Sequence, residues 1–156
     1  MATEREHKFL VTGEGWRGAA TGERAIRQGY LASTSLAAIR IRISDGSIAV
    51  LTVKSAVAGI ERTEYEYEVP LADGEAMLAL CIGSIIEKRR HVVPAGHGLT
   101  WEVDVFLGDH AGLVLAEIEL PEAGTVFERP DWLGREVTGD RRYYNASMAL
   151  GGGARD

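Results

Sequence analysis

Ala38-Ile39-Arg40-Ile41-Arg42-Ile43 alternates apolar and basic side chains without interruption. Successive side chains of a β-strand point to opposite faces, so Arg40 and Arg42 share one face and the isoleucines share the other. Strict alternation with a period of two is typical of a strand that has one apolar and one polar face. The stretch therefore predicts a strand with a strongly basic face.

The same period of two recurs in both directions from this stretch. It predicts eight strands, near residues 3–11, 24–32, 37–43, 48–54, 62–70, 85–93, 99–106 and 113–120. Turn-forming stretches such as Ser44-Asp45-Gly46 separate them. Helices are predicted from Leu71 to Ile82 and from Arg141 to Leu150. Many strands with short links favour a mainly β (α+β) fold: an eight-stranded antiparallel closed β-barrel with a few flanking helices.

Composition limits the class of protein. The 156 residues are 46% hydrophobic, enough for one domain with a sizeable core, which we place at residues 1–150 with a disordered tail at 151–156. A net charge of −6 argues against binding to nucleic acid or to an anionic membrane. A single cysteine, Cys81, excludes a disulfide framework and suits a reducing compartment. No apolar run is long enough to span a membrane, so we expect a cytoplasmic protein.

Charged residues on the predicted strands are segregated by sign. The carboxylates that share a face with one another are Glu4, Glu6, Glu64, Glu66, Glu68, Glu102, Asp104, Glu117 and Glu119. The cations in equivalent positions are Lys8, Arg40, Arg42, Lys54, Lys88 and Arg90. Only three of the 17 basic residues of the chain are lysines, and all three belong to this set. Charges on a solvated face usually alternate in sign, whereas blocks of like charge repel unless something lies between them.

Two arrangements account for these faces. The ordinary one places apolar side chains inside the barrel and charge outside, as expected for any single strand. In the alternative the charged faces line the interior, which must then be wet and occupied by ions, because desolvating each buried ion costs several kcal/mol. Paired carboxylates suit Mg²⁺ or Mn²⁺, and paired Arg and Lys side chains suit phosphate oxygens. A polyphosphate that carries metal requires both sets at once.

Glu4-Arg5-Glu6-His7-Lys8 matches E-x-E-x-K, the signature of the CYTH proteins, which are triphosphate tunnel metalloenzymes. Further segments follow in family order over nearly the whole chain. They are Arg27-Gln28-Gly29-Tyr30-Leu31, Ile39-Arg40-Ile41-Arg42, Thr52-Val53-Lys54-Ser55, Glu64-Tyr65-Glu66, Glu87-Lys88-Arg89-Arg90, residues 101–106, residues 113–119 and residues 132–138. The chain therefore resembles the short bacterial members of this family, of the inorganic triphosphatase type.

The resemblance implies a tunnel barrel with its charged residues pointing inward. The divalent-metal ligands that it implies are Glu4, Glu6, Asp104, Glu117 and Glu119. The substrate-binding residues that it implies are Lys8, Arg40, Arg42, Lys54, Glu64, Glu66, Lys88 and Arg90. The residues expected to take part in catalysis are Glu4, Glu6, Lys54, Glu117 and Glu119.

The expected activity is hydrolysis of inorganic tripolyphosphate to pyrophosphate and phosphate, with Mg²⁺ or Mn²⁺ as cofactor. One metal, bound through Glu4, Glu6 and a C-terminal carboxylate, would position the triphosphate. A second, near Asp104 and Glu117 or Glu119, would help to deliver water. Two alternatives stay open. The same fold would serve an adenylate cyclase or a thiamine-triphosphatase, and a polyphosphate-binding module would have no turnover at all.

Two features lie outside this pattern. Many relatives carry lysine in the terminal segment that plugs the tunnel, whereas Asp140-Arg141-Arg142-Tyr143-Tyr144-Asn145 contains only arginine. Arg141 or Arg142 can supply the positive charge, but arginine does not replace lysine in acid–base chemistry, so the role of this segment stays open. Apolar outer strand faces with only one substantial helix to cover them predict a homodimer.

Overall fold

The computed structural model describes residues 3–55 and 60–151. The strands are β1 (Thr3–Val11), β2 (Gly22–Ser33), β3 (Ala37–Ser44), β4 (Ile48–Ser55), β5 (Glu61–Val69), β6 (Ile82–Gly96), β7 (Leu99–Phe106), β8 (Val114–Glu119) and β9 (Leu133–Glu136). The α-helices are α1 (Leu71–Leu78) and α2 (Asn145–Ala149), and short 3₁₀ turns lie at Arg17–Ala19, Gly108–His110 and Arg141–Tyr143. Residues 152–156 of the predicted tail lie outside the described residues.

Strands β1 to β8 close into an antiparallel barrel, which confirms the predicted fold. The order around the barrel is β5-β4-β3-β2-β6-β7-β8-β1, and β1 returns to β5 through pairs such as Thr3 with Thr63. β9 lies outside this ring and pairs with the last part of β1. The alternation pattern did not predict β9, because four residues that include Gly134 are too few to show a period.

The helices are shorter than the sequence predicted. β6 already begins at Ile82, which pairs with Tyr30 of β2, so α1 ends at Leu78. The predicted C-terminal helix is divided in two, because Asp140 caps a 3₁₀ turn through the backbone N–H of Arg142 and the chain is extended again at Tyr144. Within the described residues, none of the helices is long and apolar enough to cross a membrane.

Much of the hydrophobic core lies on the outer surface of the barrel. Phe9, Trp101 and Ile118 pack there beneath the loop that follows β8, with Trp16 sealing one side. α1 covers Ile41, Ile43 and Ala49 on the outer side of β3 and β4. Its Gly74 lies so close to Ala49 that any larger residue would separate the helix from the sheet.

One end of the barrel interior is also apolar. Ile86, Phe106 and Leu115 point inward there, and Met148 and Ala149 of α2 pack against them. We refer to this group as the apolar end. The sequence predicted charge along the interior, and the structure limits that charge to the part beyond the apolar end. α2 therefore closes one end of the tunnel, and the charged residues lie between it and the opposite mouth.

Candidate active site

A polar cavity of about 420 Å³ occupies the charged part of the barrel. Every site residue predicted from the sequence, except Asp104, lines it. These residues are Glu4, Glu6, Lys8, Arg40, Arg42, Lys54, Glu64, Glu66, Lys88, Arg90, Glu117 and Glu119. The charged strand faces therefore point inward, and the arrangement with charge outside is wrong for these strands.

Four carboxylates from β1 and β8 form one side of the cavity, the acidic wall: Glu4, Glu6, Glu117 and Glu119. Antiparallel pairing of the two strands sets Glu6 opposite Glu119 and Lys8 opposite Glu117. Glu117 lies 3.1 Å from the Lys8 Nζ and 3.1 Å from an Arg90 nitrogen. Glu4 lies 3.1 Å from the Lys54 Nζ. Half of the acidic wall is thus neutralised by cations of the protein itself.

The other half of the acidic wall is not neutralised. Among the described residues, no basic side chain lies within 4.0 Å of Glu6 or Glu119. Burial, reinforced by the charges of Glu117 and Glu4, raises the pKa of Glu6 well above its usual value. Partial desolvation of the Glu119 carboxylate, which stays largely exposed to solvent, together with the charges of Glu4 and Glu64, also raises its pKa. Both carboxyls therefore lie where an added positive charge is favoured.

The chemistry of these donors fits a divalent metal ion. Hard carboxylate oxygens are the ligands that Mg²⁺ and Mn²⁺ prefer. The facing pair Glu6 and Glu119 has no basic partner in residues 3–55 and 60–151. In the described part of the chain, no three acidic, His or Cys side chains already surround a metal position. Glu4 and Glu117 instead contact Lys54, Lys8 and Arg90.

Four cations from β3 and β6 form the basic wall: Arg40, Arg42, Lys88 and Arg90. Burial, with the added repulsion of Arg40 and Arg90, lowers the pKa of Arg42 to about 9. Burial also lowers the pKa of Lys88 to about 7, although the Asp104 carboxylate opposes that change. Cations held this close together repel one another, and a bound polyanion would relieve that repulsion.

Asp104 does not line the cavity. It is 1% exposed and lies behind the basic wall, where it accepts two hydrogen bonds from Arg90, at 2.8 and 2.9 Å. The Lys88 Nζ lies 2.8 Å from the Asp104 Oδ2, which also accepts one of the Arg90 hydrogen bonds. Burial would raise the pKa of Asp104, but Arg90 and Lys88 outweigh it and hold the pKa at about 2. The structure therefore places Asp104 as the counter-ion of two phosphate-binding candidates, apart from Glu6 and Glu119.

Lys54 lies on the far side of the acidic wall. Its Nζ contacts Glu4 at 3.1 Å and Glu64 at 3.3 Å. Burial lowers its pKa, but Glu4 and Glu6 outweigh that effect and raise it, so Lys54 stays charged. Glu66 lies 3.9 Å from Arg40 with half of its side chain exposed, which places it near the mouth.

Several residues of the cavity lining were missed by the sequence analysis. Arg62 has the same parity as Glu64 on β5, and Arg24 of β2 is in register with Arg90, so strand parity contained the signal for both. Tyr144 also lines the cavity, and the Arg62 guanidinium lies 4.3 Å from the centre of its ring. Tyr144 enters from the C-terminal segment, which no strand period could place.

Fold and site together define a tunnel protein with a charged cavity between an acidic and a basic wall. The model of the CYTH domain family matches residues 2–146, and the chain belongs to this family.

Comparison with known proteins gives further relatives. An inorganic triphosphatase of Acetivibrio thermocellus is 46% identical over 149 residues, covering 95% of this chain and 94% of the relative. An inorganic triphosphatase of Nitrosomonas europaea is 36% identical over 155 residues, covering 95% and 97%. A crystal structure of an inorganic triphosphatase superposes with a TM-score of 0.67 at 32% identity, covering 96% of each chain.

Proposed function

We propose that this protein is a divalent-metal-dependent inorganic triphosphatase, which hydrolyses tripolyphosphate to pyrophosphate and phosphate inside the cavity. The observation that carries the proposal is the pairing of two incomplete walls. Within the described part of the chain, Glu6 and Glu119 have no basic side chain within 4.0 Å, while the basic wall holds more positive charge than Asp104 neutralises. A triphosphate that carries metal supplies both missing charges. The similarity to two inorganic triphosphatases over nearly the whole chain supports the same substrate.

The basic wall binds the phosphate chain in this proposal. Arg40 and Arg42 offer planar guanidinium groups that match phosphate oxygens in pairs, and Lys88 acts as a point charge. Arg90 is held rigidly by Asp104 and Glu117, so it costs little entropy to orient. Lys8 and Lys54 reach the cavity from the acidic wall and stabilise the negative charge that develops on the leaving pyrophosphate.

The acidic wall holds the metal in this proposal, through Glu6 and Glu119 with Glu4 and Glu117 beside them. A bound Mg²⁺ or Mn²⁺ would neutralise phosphate charge and make a bound water more acidic. Glu4 and Glu117 would lie within reach of the same ion, and their partners Lys54 and Lys8 would face the phosphates. Glu64 orients Lys54, because it contacts the same ammonium. In this proposal Asp104 positions the phosphate-binding Arg90 and Lys88, and the metal ligands come from the acidic wall.

The experiment that tests the function is phosphate release from tripolyphosphate, ATP, GTP and thiamine triphosphate, each with Mg²⁺, with Mn²⁺ and with chelator. We expect metal-dependent release that is fastest from tripolyphosphate, and a loss of that release in Glu6→Gln. Glu68→Gln is the matched control, because Glu68 is exposed on β5 and does not line the cavity. Cyclic AMP with pyrophosphate from ATP would support a cyclase instead. Tight binding of tripolyphosphate without any release would support a binding module.

We also propose that two copies of the chain associate through the outer face of β4 and β5. Tyr65 and Tyr67 are 41% and 61% exposed there, and they pair with Val53 and Leu51 on the neighbouring strand. Contiguous apolar surface of this kind is typical of a protein–protein contact. Small-angle scattering should give the mass of a dimer, and Tyr67→Glu should reduce it to that of a monomer. A monomeric mass for the unaltered protein would contradict the proposal.

A cytoplasmic location, without nucleic acid or membrane partners, also belongs to this proposal. It rests on the single cysteine and on the net charge of −6. Cell fractionation followed by detection of the protein tests it, and recovery with the membrane fraction would contradict it.

A further inference from the structure

The 156-residue chain contains one glutamine and one asparagine, and the two are hydrogen-bonded to each other. Gln28 lies in β2 and is fully buried. Asn145 is the first residue of α2 and lines the cavity. The Gln28 Nε2 donates to the Asn145 Oδ1 at 2.7 Å. A buried contact between the only two carboxamide side chains of a chain points to a specific requirement for that group.

A cation donates to each of these amides. The Arg42 Nε donates to the Gln28 Oε1 at 2.7 Å, and the Lys88 Nζ donates to the Asn145 Oδ1 at 2.8 Å. Arginine and lysine only donate, so each amide must turn its oxygen toward its cation. Gln28 then has its NH₂ group left for Asn145. Only one orientation of the two amide groups satisfies all three hydrogen bonds. We call the hydrogen-bonded chain of Arg42, Gln28, Asn145 and Lys88 the amide relay.

Gln28 is placed to fix how Arg42 meets a ligand. In the described ranges, no carboxylate lies within 4.0 Å of Arg42, and Gln28 is its side-chain hydrogen-bond partner. The bond uses Nε and leaves both terminal nitrogens of the guanidinium free of protein partners there. Because a guanidinium binds phosphate as a planar fork, fixing its Nε also fixes the direction of that fork.

Neutral amides suit this position better than carboxylates would. A carboxylate beside Arg42 would form an ion pair and compete with the phosphate for the same charge. An amide oxygen accepts the hydrogen bond and leaves the full positive charge available to the cavity.

The amide relay also connects the cations to the end of the chain. Asn145 begins the helix whose Met148 and Ala149 pack into the apolar end. Two residues earlier, the Tyr143 carbonyl accepts a hydrogen bond from the Lys8 Nζ at 3.1 Å. If α2 leaves the barrel, Lys88 loses its amide acceptor and Gln28 loses its partner at the same time.

We propose that Gln28 and Asn145 are positioning residues, which hold Arg42 and Lys88 in the arrangement that binds a phosphate chain and make that arrangement depend on the seating of α2. The proposal rests on the proposed function for the identity of the ligand. It assigns a role to the C-terminal segment that needs no lysine there.

The composition of the chain makes the relay directly observable. In a ¹H–¹⁵N correlation spectrum of the labelled full-length chain, the side-chain NH₂ signals of glutamine and asparagine form only two pairs. We expect both pairs to shift on titration with metal-free tripolyphosphate and to report the same Kd. In Gln28→Met, the remaining pair of Asn145 should move from its original position. If both pairs of NH₂ signals lie at random-coil chemical shifts and do not move when tripolyphosphate is added, the proposal is overturned without any variant.

Substitutions of matched shape test the coupling. Gln28→Met and Asn145→Leu should each raise the Kd for metal-free tripolyphosphate about tenfold, the scale set by one lost hydrogen bond to a charged group. The double variant should be no weaker than the weaker single variant, because both break the same relay. Ser47→Ala is the control: the Ser47 Oγ donates to the Ser44 carbonyl in the turn between β3 and β4, and Ser47 does not line the cavity. The Kd of this variant for tripolyphosphate should stay within about twofold of the original.

The outcomes separate this proposal from the proposed function. If the single variants bind tripolyphosphate as the original does and lose only thermal stability, the relay is structural and the proposal is wrong. If the two losses multiply in the double variant, the residues act independently and the proposal is also wrong. If the coupled losses appear but the unaltered protein releases no phosphate, the relay stands and the triphosphatase function fails.

Discussion

The acidic wall and the region behind the basic wall shift the pKa of a buried carboxylate in opposite directions. Asp104 is surrounded by Arg90 and Lys88, and its pKa is held at about 2. Glu6 faces other carboxylates, and its pKa is raised. Both carboxylates lie in the same barrel, so the difference in pKa comes from the neighbouring strands. β1 and β8 bring carboxylates together at Glu6, whereas β6 places cations beside Asp104 on β7. A buried carboxylate that is paired with cations stabilises the structure. A carboxylate without such a partner marks where a ligand must bring positive charge.

The largest effect on the unfolding free energy should follow from removing the carboxylate that is paired with Arg90 and Lys88. Asp104→Asn leaves Arg90 and Lys88 buried with one carboxylate fewer, and breaking a buried ion pair from one side costs about 3–5 kcal/mol of unfolding free energy. Urea unfolding of the metal-free protein measures it. Glu119→Gln is the control, because it removes an exposed carboxylate that lacks a basic partner among the described residues. Equal losses in the two variants would contradict the distinction between the regions.

Glu6→Gln should weaken metal binding without lowering the unfolding free energy. It removes a charge that its neighbours repel, so the unfolding free energy should stay the same or rise. The affinity for Mn²⁺ should fall by at least about 10–100-fold, since even the supporting contacts of a metal ligand are worth that much. Calorimetric titration with Mn²⁺ and urea unfolding give the two values. A Glu6→Gln protein that binds Mn²⁺ normally would place the metal elsewhere.

The two carboxyls should also respond to pH with opposite signs. The pKa of Glu6 is raised on folding, so its contribution to stability is full below its ordinary pKa and is lost as the pH rises through the raised value. The pKa of Asp104 falls from 3.8 to about 2, so its contribution of about 2 kcal/mol is present above pH 4 and is lost toward pH 2.

Variant differences isolate the Glu6 contribution. In the metal-free protein, the unaltered chain should gain unfolding free energy relative to Glu6→Gln as the pH falls from about 7 to about 5. Affinity for Mn²⁺ should weaken over the same range, because the proton and the metal compete for Glu6. A difference between the two proteins that does not change with pH would contradict the raised pKa.

The smallest effect is expected at the cavity mouth. Arg24 lies 3.4 Å from Glu102, and both side chains are about one-third or more exposed. Arg24→Gln should therefore change stability by less than about 1 kcal/mol and raise KM for tripolyphosphate only a few-fold. Added salt should reduce even that difference, because exposed charges are screened. A loss of kcat in this variant would move Arg24 from the mouth to the reacting phosphates.

Strand parity predicted most of the barrel and most of its lining. Arg40 and Arg42 were assigned to one face from alternation alone, and both line the cavity. The same rule placed Asp104 on the inner face, but it could not show that Asp104 lies behind the cavity lining, because parity gives a side of the strand and cannot give the depth along the tunnel. At that depth Arg90 and Lys88 take up the carboxylate.

Contacts made by the C-terminal segment were beyond the reach of sequence patterns. The period of two ends before residue 141, and the contact between Gln28 and Asn145 depends on how that segment folds back into the barrel. The apolar end was missed for the same reason, since Met148 defines it from α2. Tertiary contacts between distant and irregular segments leave no periodic trace.

The closure of the barrel by β1 has a consequence for the order of assembly. β1 carries Glu4, Glu6 and Lys8, and each of its partners, β5, β8 and β9, follows much later in the chain. During synthesis, β1 therefore leaves the ribosome long before its backbone has any strand to pair with. Contacts this distant in sequence form slowly. The acidic wall is accordingly among the last parts to be completed, and the metal site proposed there lacks Glu117 and Glu119 until β8 has been made.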